Sequence, residues 1–143
     1  MLTLKKDIII DYPIQDVFSI FAESAKKSFP NFNPNNPTES YVSQKGNKRF
    51  KACITKYNEN KLYEIKISNK RSYTITRYEF KCVDKNKTHI FFTETESERN
   101  FFGKLNKKLN ILLFGKNQED EFYNFIKQIS YTLDNRKDNN KEE

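Results

Sequence analysis

The chain has 143 residues, 36% of them hydrophobic, with 13 Phe and 8 Tyr against 3 Gly and no Trp. This length gives one domain, and the aromatics supply core volume that the modest share of aliphatic residues would not. A formal net charge of +7 invites a nucleic-acid reading. However, Lys, Asn, Ile, Phe and Tyr together make half the chain, a bias that an A+T-rich coding sequence produces unaided, and net charge speaks to solubility and non-specific binding rather than to fold.

Residues 2–10, ending in Ile8-Ile9-Ile10, form a first strand that stops at Tyr12-Pro13. From there Ile14, Val17, Phe18, Phe21 and Ala25 follow the spacing of an amphipathic helix. Pro13 suits the first helical position, where a missing N–H is harmless, and Asp16 sits in the first turn, where negative charge helps. The stretch 29–40, FPNFNPNNPTES, is a loop with room for one short helical turn.

From Tyr41 to Ser97 the chain reads as a meander of strands over 40–45, 48–57, 61–68, 73–82 and 88–97. Lys45-Gly46-Asn47, Asn58-Glu59-Asn60, Asn69-Lys70-Arg71 and Asp84-Lys85-Asn86-Lys87 carry turn chemistry. Connections this short join antiparallel neighbours. Phe50, Ala52 and Ile54 alternate onto one face, as do Tyr63, Ile65 and Ile67, which predicts a sheet with one buried side.

After Ser97 the period becomes helical, with Phe102, Leu105, Leu109 and Leu112 in one stripe. Gly115 and Asn117 interrupt it, and Asn117 is a fair N-cap for a last helix marked by Phe122, Phe125, Ile126, Ile129 and Leu133. The domain is expected to span 1–133, with 134–143 a polar, frayed tail. An apolar sheet face needs a cover, and the C-terminal helix is the available one.

This order, with YPIQDVF at the entry, THIFFTETES closing the meander and a long final helix, resembles the START-like superfamily, also called SRPBCC or helix-grip, over about residues 3–133. RSYTITRYEFKCVDKNKTHIFFTETE and KLNKKLNILLF…FYNFIKQI look closest to an uncharacterised bacterial branch, a domain of unknown function. The fold class is thus α+β: an antiparallel sheet of six or seven strands curved around the C-terminal helix, with a short helix after the first strand. Such families usually have seven strands. Six are counted here, so one is short or lies within 29–40.

A sheet closed over a helix leaves a cavity between the two, the default small-molecule site of this architecture. The resemblance implies an apolar occupant such as a lipid, sterol, polyketide or hormone-like molecule. Ile54, Ile67, Phe92, Phe122 and Phe125 are the residues expected to bury it, with Glu94, Arg77 and Tyr78 orienting it. In the last strand Ile90 and Phe92 share a face with Glu94, Glu96 and Glu98. If Ile90 and Phe92 point inward, Glu94 stands at the cavity mouth, about 7 Å from Glu96 by strand rise. Paired carboxylates can do acid–base work. Yet glutamates at a strand end ordinarily mark an exit to solvent, so solvation is the first expectation, a pocket contact the second and catalysis the third. Arg77 is a possible partner for Glu94, although Ile75 and Tyr78 leave the facing of that strand ambiguous.

The segment 99–116, RNFFGKLNKKLNILLFGK, carries basic and apolar residues with no acid. Lys104, Lys107, Lys108 and Phe114 could meet an anionic membrane surface or a partner. A helix packed on the sheet with solvated lysines explains the pattern more simply. Phe114 and Leu113 also widen the apolar face enough for a dimer contact, and the chain is expected to be a monomer or homodimer.

Other chemistries lack their residues. Cys53 and Cys82 have no metal-ligand spacing, and His89, the sole histidine, sits inside a strand pattern, which leaves nothing to build zinc or a nucleophilic triad from. No RNP1 pattern, zinc finger, helix-turn-helix or phosphate-cradling glycine loop is present, so no cofactor and no specific nucleic acid are called for. No apolar stretch approaches a membrane span; Ile111-Leu112-Leu113-Phe114 is the longest candidate. The expected location is cytoplasmic, and an enzyme is less expected than a binding module.

Overall fold

The computed structural model describes residues 2–44, 50–97 and 121–141. Its first strand, β1 (Leu2–Ile10), hands over to α1 (Ile14–Ser28) within three residues. Tyr12 N–H turns back to donate to the Ile10 carbonyl at 2.9 Å, and the Pro13 carbonyl accepts from Asp16 and Val17 N–H at 3.1 Å each. Pro13 is therefore the N-cap, with ψ 148°, rather than the first helical residue. Its ring fixes φ and leaves no N–H to satisfy at the switch, so the shift of one position changes nothing in the physics.

α1 buries Val17, Phe18, Phe21 and Ala25, the stripe its spacing predicts. Phe29 N–H closes the helix on the Ala25 carbonyl at 2.9 Å. The loop beyond contains a short 3-10 turn (Pro37–Glu39) and no strand. Asn31 holds the loop to the sheet, its Oδ1 accepting from Tyr41 N–H and its Nδ2 donating to the Glu39 carbonyl, both at 3.1 Å.

The meander follows as β2 (Tyr41–Gln44), β3 (Phe50–Asn58), β4 (Leu62–Ser68), β5 (Tyr73–Asp84) and β6 (Lys87–Glu96). The three described turns use the chemistry their residues predict. Asn60 takes a left-handed φ of 61°, which Asn tolerates. Asn69 Oδ1 accepts from the Arg71 and Ser72 N–H groups at 2.8 and 2.9 Å, and Asp84 Oδ1 from Asn86 N–H at 2.8 Å. The turn expected at Lys45-Gly46-Asn47 lies outside the described residues.

The strands form one antiparallel sheet in the order β1-β6-β5-β4-β3-β2. The described residues therefore hold six strands, the lower of the two expected numbers. Register decides which side chains share a face. One row runs Leu4–Glu94–Thr76–Ile65–Ile54, and the next toward the same end runs Leu2–Glu96–Thr74–Ile67–Ala52–Val42. In β3 a bulge between Ile54 and Lys56 sets both Thr55 and Lys56 against Glu64. The extra residue lets Ile54 and Tyr57 both face the core.

The last helix, α2 (Glu121–Lys141), buries Phe122, Phe125, Ile126, Ile129 and Leu133 over the same face that α1 covers. It does not end at Leu133, where the apolar pattern ends. Arg136 Nη2 lies 2.7 Å from Glu23 Oε2, and its Nη1 donates to Ser19 Oγ at 3.0 Å, both on α1. A helix already nucleated extends cheaply through polar residues, and this anchor lies within the extension. The expected stripe Phe102, Leu105, Leu109, Leu112 and the Asn117 cap lie outside the described residues, as do Lys104, Lys107, Lys108 and Phe114. No helix among the described residues is long and apolar enough to cross a membrane.

Candidate ligand site on the helix-covered face of the sheet

Two regions of different chemistry adjoin on the buried face. The first is aromatic and centres on Phe21 of α1, whose ring lies 4.8 Å from Tyr78, 4.9 Å from Phe80, 5.2 Å from Phe125 and 6.1 Å from Tyr63. Tyr78 continues the cluster to Phe92 at 5.3 Å, and Phe92 to Phe122 at 5.1 Å. Edge-on and tilted geometries of this kind are the favoured ones between rings. Three separate elements, α1, the sheet and α2, thus meet at one cluster of aromatic rings.

The second region is polar. On β6 the alternation that buries Ile90 and Phe92 continues, and Glu94 and Glu96 are each only 4% exposed. This corrects the expectation that they mark an exit to solvent. Both β1 and β5 pair with β6 as far as its last residue, so Glu94 and Glu96 have a strand on each side and the strand end is not a sheet edge. Thr76 and Thr74, opposite them on β5, are buried as well. Thr74 Oγ1 has no hydrogen-bond partner among the described residues. A buried hydroxyl without a partner is costly in a merely structural core. Leu4, across from Glu94 on edge strand β1, is 47% exposed, so this corner of the face meets solvent. Lys6, one step along β1, stands across from Phe92.

Tyr63 adds a third polar atom farther in. Its hydroxyl is buried with no hydrogen-bond partner among the described residues. Burial pushes its ionisation well above the ordinary tyrosine value of 10.0, and neighbouring Tyr57 pushes it further the same way.

A family model described as a domain of unknown function (DUF3284) matches residues 3–115. The chain belongs to that family. It matches none of the curated proteins. Among solved structures, the Aha1 dimer of Colwellia psychrerythraea superposes with a TM-score of 0.52 at 17% identity, covering 85% of this chain and 98% of that one. The MLL2253 protein of Mesorhizobium loti gives 0.54 at 10% identity, covering 78% and 90%. The Mll3558 protein of Rhizobium loti gives 0.50 at 13% identity, covering 80% and 92%. At such identities the likeness is one of fold: this DUF3284 chain has the Bet v1-like helix-grip arrangement, an antiparallel six-stranded sheet with helices and the C-terminal helix across it.

Of the residues expected at the site, the DUF3284 structure brings Tyr78, Phe92, Phe122 and Phe125 into one ring cluster, with Ile54, Ile67 and Glu94 on the same face. Arg77 faces the other way. Its Nε lies 2.8 Å from Glu79 Oε1, an ion contact without a well-directed N–H···O bond, and its Nη1 lies 3.9 Å from Glu64 Oε2. The expected pairing with Glu94 fails because no bulge separates Ile75 from Tyr78, so Ile75 and Arg77 share the outer face. Phe21, Thr74 and Thr76 lie at the site without any expectation from the sequence pattern, whereas Glu96 is expected beside Glu94. Strict alternation outward from Tyr78 through β5 would have found both threonines.

Proposed function

We propose that this chain binds a small, largely apolar molecule carrying a hydrogen-bond-donating or cationic group. The observation that supports this reading is the burial of Glu94 and Glu96, with Thr74 and Thr76, next to the ring cluster of Tyr78, Phe92, Phe122 and Phe125. Carboxyl oxygens accept hydrogen bonds and the threonine hydroxyls donate or accept, so the polar end suits a donor group. The apolar body would rest on the rings and on Ile54 and Ile67, at about 25 cal/mol per Å² buried. Lipids and polyketide-like molecules with such a group fit this description. The Colwellia neighbour is a dimer, and a homodimer here is compatible with a site built within one chain. An anionic membrane contact through 99–116 has only the sequence pattern behind it.

The test is native mass spectrometry of the full chain as purified, repeated on Glu94→Gln. Retained mass that denaturation releases and that Glu94→Gln diminishes supports the reading. A bare chain, with no thermal shift across a panel of amphiphilic amines, alcohols and fatty acids, overturns it. The buried carboxylate pair also favours a second reading, acid–base catalysis by Glu94 on such a molecule. Unchanged turnover of a converted ligand by Glu94→Gln would sink that one.

A further inference from the structure

The opposite face of the sheet carries an arrangement that the ligand site does not use. Successive outward rows at the β2 end run Tyr41–Cys53–Lys66–Ile75 and Ser43–Lys51–Ser68–Tyr73. Each row holds one tyrosine and one lysine, placed so that each ring is capped diagonally from the other row. Lys51 Nζ lies 5.4 Å from the Tyr41 ring centroid and Lys66 Nζ 4.9 Å from that of Tyr73. Tyr41 is 53% exposed. Among the described residues neither lysine has a carboxylate partner. The acids farther along this face are engaged: Glu64 and Glu79 by Arg77, and Asp7 by His89. Exposed Lys70 and Arg71 in the adjoining turn add two further cations. On the other side, Tyr41 and Lys51 also line an open groove of about 660 Å³, shared with Asn33, Asn36, Thr38 and one acid, Glu39.

We propose that this face is a platform for single-stranded nucleic acid, bound without sequence specificity. Tyrosine rings stack on bases of any identity, and the ammonium groups that cap them here can turn to the phosphates. Tyr41 and Tyr73 are separated by three strand spacings, about 14 Å, and by one two-residue step, about 7 Å, room for a short strand to cross. Charge complementarity selects a polyanion. The remaining positions select against a membrane, because Ser43, Ser68 and Cys53 outnumber Ile75 in the rows where an inserting surface would carry large apolar side chains. An acidic peptide would engage the lysines and leave the rings unused. The overall charge of +7 adds attraction at long range.

The experiment is fluorescence anisotropy of the full chain with a labelled oligouridylate of about 12 nucleotides, within the range of site sizes of small single-strand-binding domains. Saturable binding is expected, with Tyr73→Ala weakening it about tenfold and Tyr73→Phe preserving it, since the ring face survives. Lys51→Gln combined with Lys66→Gln lowers the slope of log affinity against log salt by about 1.4. Lys26→Gln with Lys27→Gln, which removes the same charge from exposed positions of α1, changes affinity by less than about twofold. The proposal is overturned if no saturable binding occurs, if Tyr73→Ala binds like the unaltered chain, or if the α1 pair weakens binding as much as the sheet pair. It also falls if vesicles containing anionic lipid bind through Lys51 and Lys66 while the oligonucleotide does not.

Discussion

Thr88 Oγ1 donates a 2.8 Å hydrogen bond to the carbonyl of Tyr12, 76 residues earlier in the chain. Thr88 is fully buried on β6, and Tyr12 lies at the bend between β1 and α1. The abrupt strand-to-helix switch is thus tied to the neighbouring strand by a side chain, in addition to the proline that starts it.

Removing that bond leaves a carbonyl at the bend without its partner. Thr88→Val is expected to lower stability by about 1–3 kcal/mol, measured by urea denaturation, while Thr88→Ser retains most of it. Equal losses for Val and Ser would mean that packing of the methyl group, and not the hydroxyl, matters at this position.

Phe21 touches four rings and joins the first helix to both the sheet and the last helix. Phe21→Ala is expected to cost about 3–5 kcal/mol. Phe32, only partly buried and edge-on to Tyr57 at 5.4 Å, should lose clearly less on the same substitution. Denaturation midpoints of the two variants compare them directly.

Tyr63 makes stability fall in alkali. Its ionisation is raised in the folded chain, so above pH 10.0 the unfolded chain releases a proton that the folded chain keeps. Fewer protons on the unfolded state give a negative slope of stability with pH, at most about 1.4 kcal/mol per pH unit from this group. This stability is fully present below pH 10.0. Tyr63→Phe should flatten the alkaline decline, read from melting temperatures across that range. Because the hydroxyl lacks a partner among the described residues, its removal should cost little at neutral pH.

Arg136 anchors a stretch of α2 that has no apolar face of its own. Its ion pair is partly exposed, so Arg136→Ala should lower global stability by less than about 1 kcal/mol. The local effect should be larger. Amides of 134–141 are expected to exchange with solvent faster, with those of 122–133 unchanged, in a hydrogen-exchange experiment.

Local physics made much of this molecule legible from its residues. Tyr12-Pro13 announced the switch, Asn60, Asn69 and Asp84 announced the turns, and the spacing of Phe122, Phe125, Ile126, Ile129 and Leu133 announced the covering helix. Each depends on near neighbours in the chain, through a fixed φ, a side chain reaching its own backbone, or the 3.6-residue period. The helix-grip arrangement could be assembled from those parts.

Only the tertiary structure decided which face each strand residue took and what lay over it. Residue type alone suits Arg77 and Glu94 to one site, and the β4–β5–β6 register puts them on opposite sides of the sheet. Glu94 and Glu96 read as solvated because a strand end carries no record of its neighbours, and β1 and β5 both pair with β6 as far as Glu96. Beyond Leu133 the helix carries Arg136 to Glu23, more than 100 residues away. The tyrosine–lysine rows on the outer face arise from four strands brought side by side. Burial and register are properties of pairs distant in sequence, and a one-dimensional pattern determines them only once the pairing partner is known.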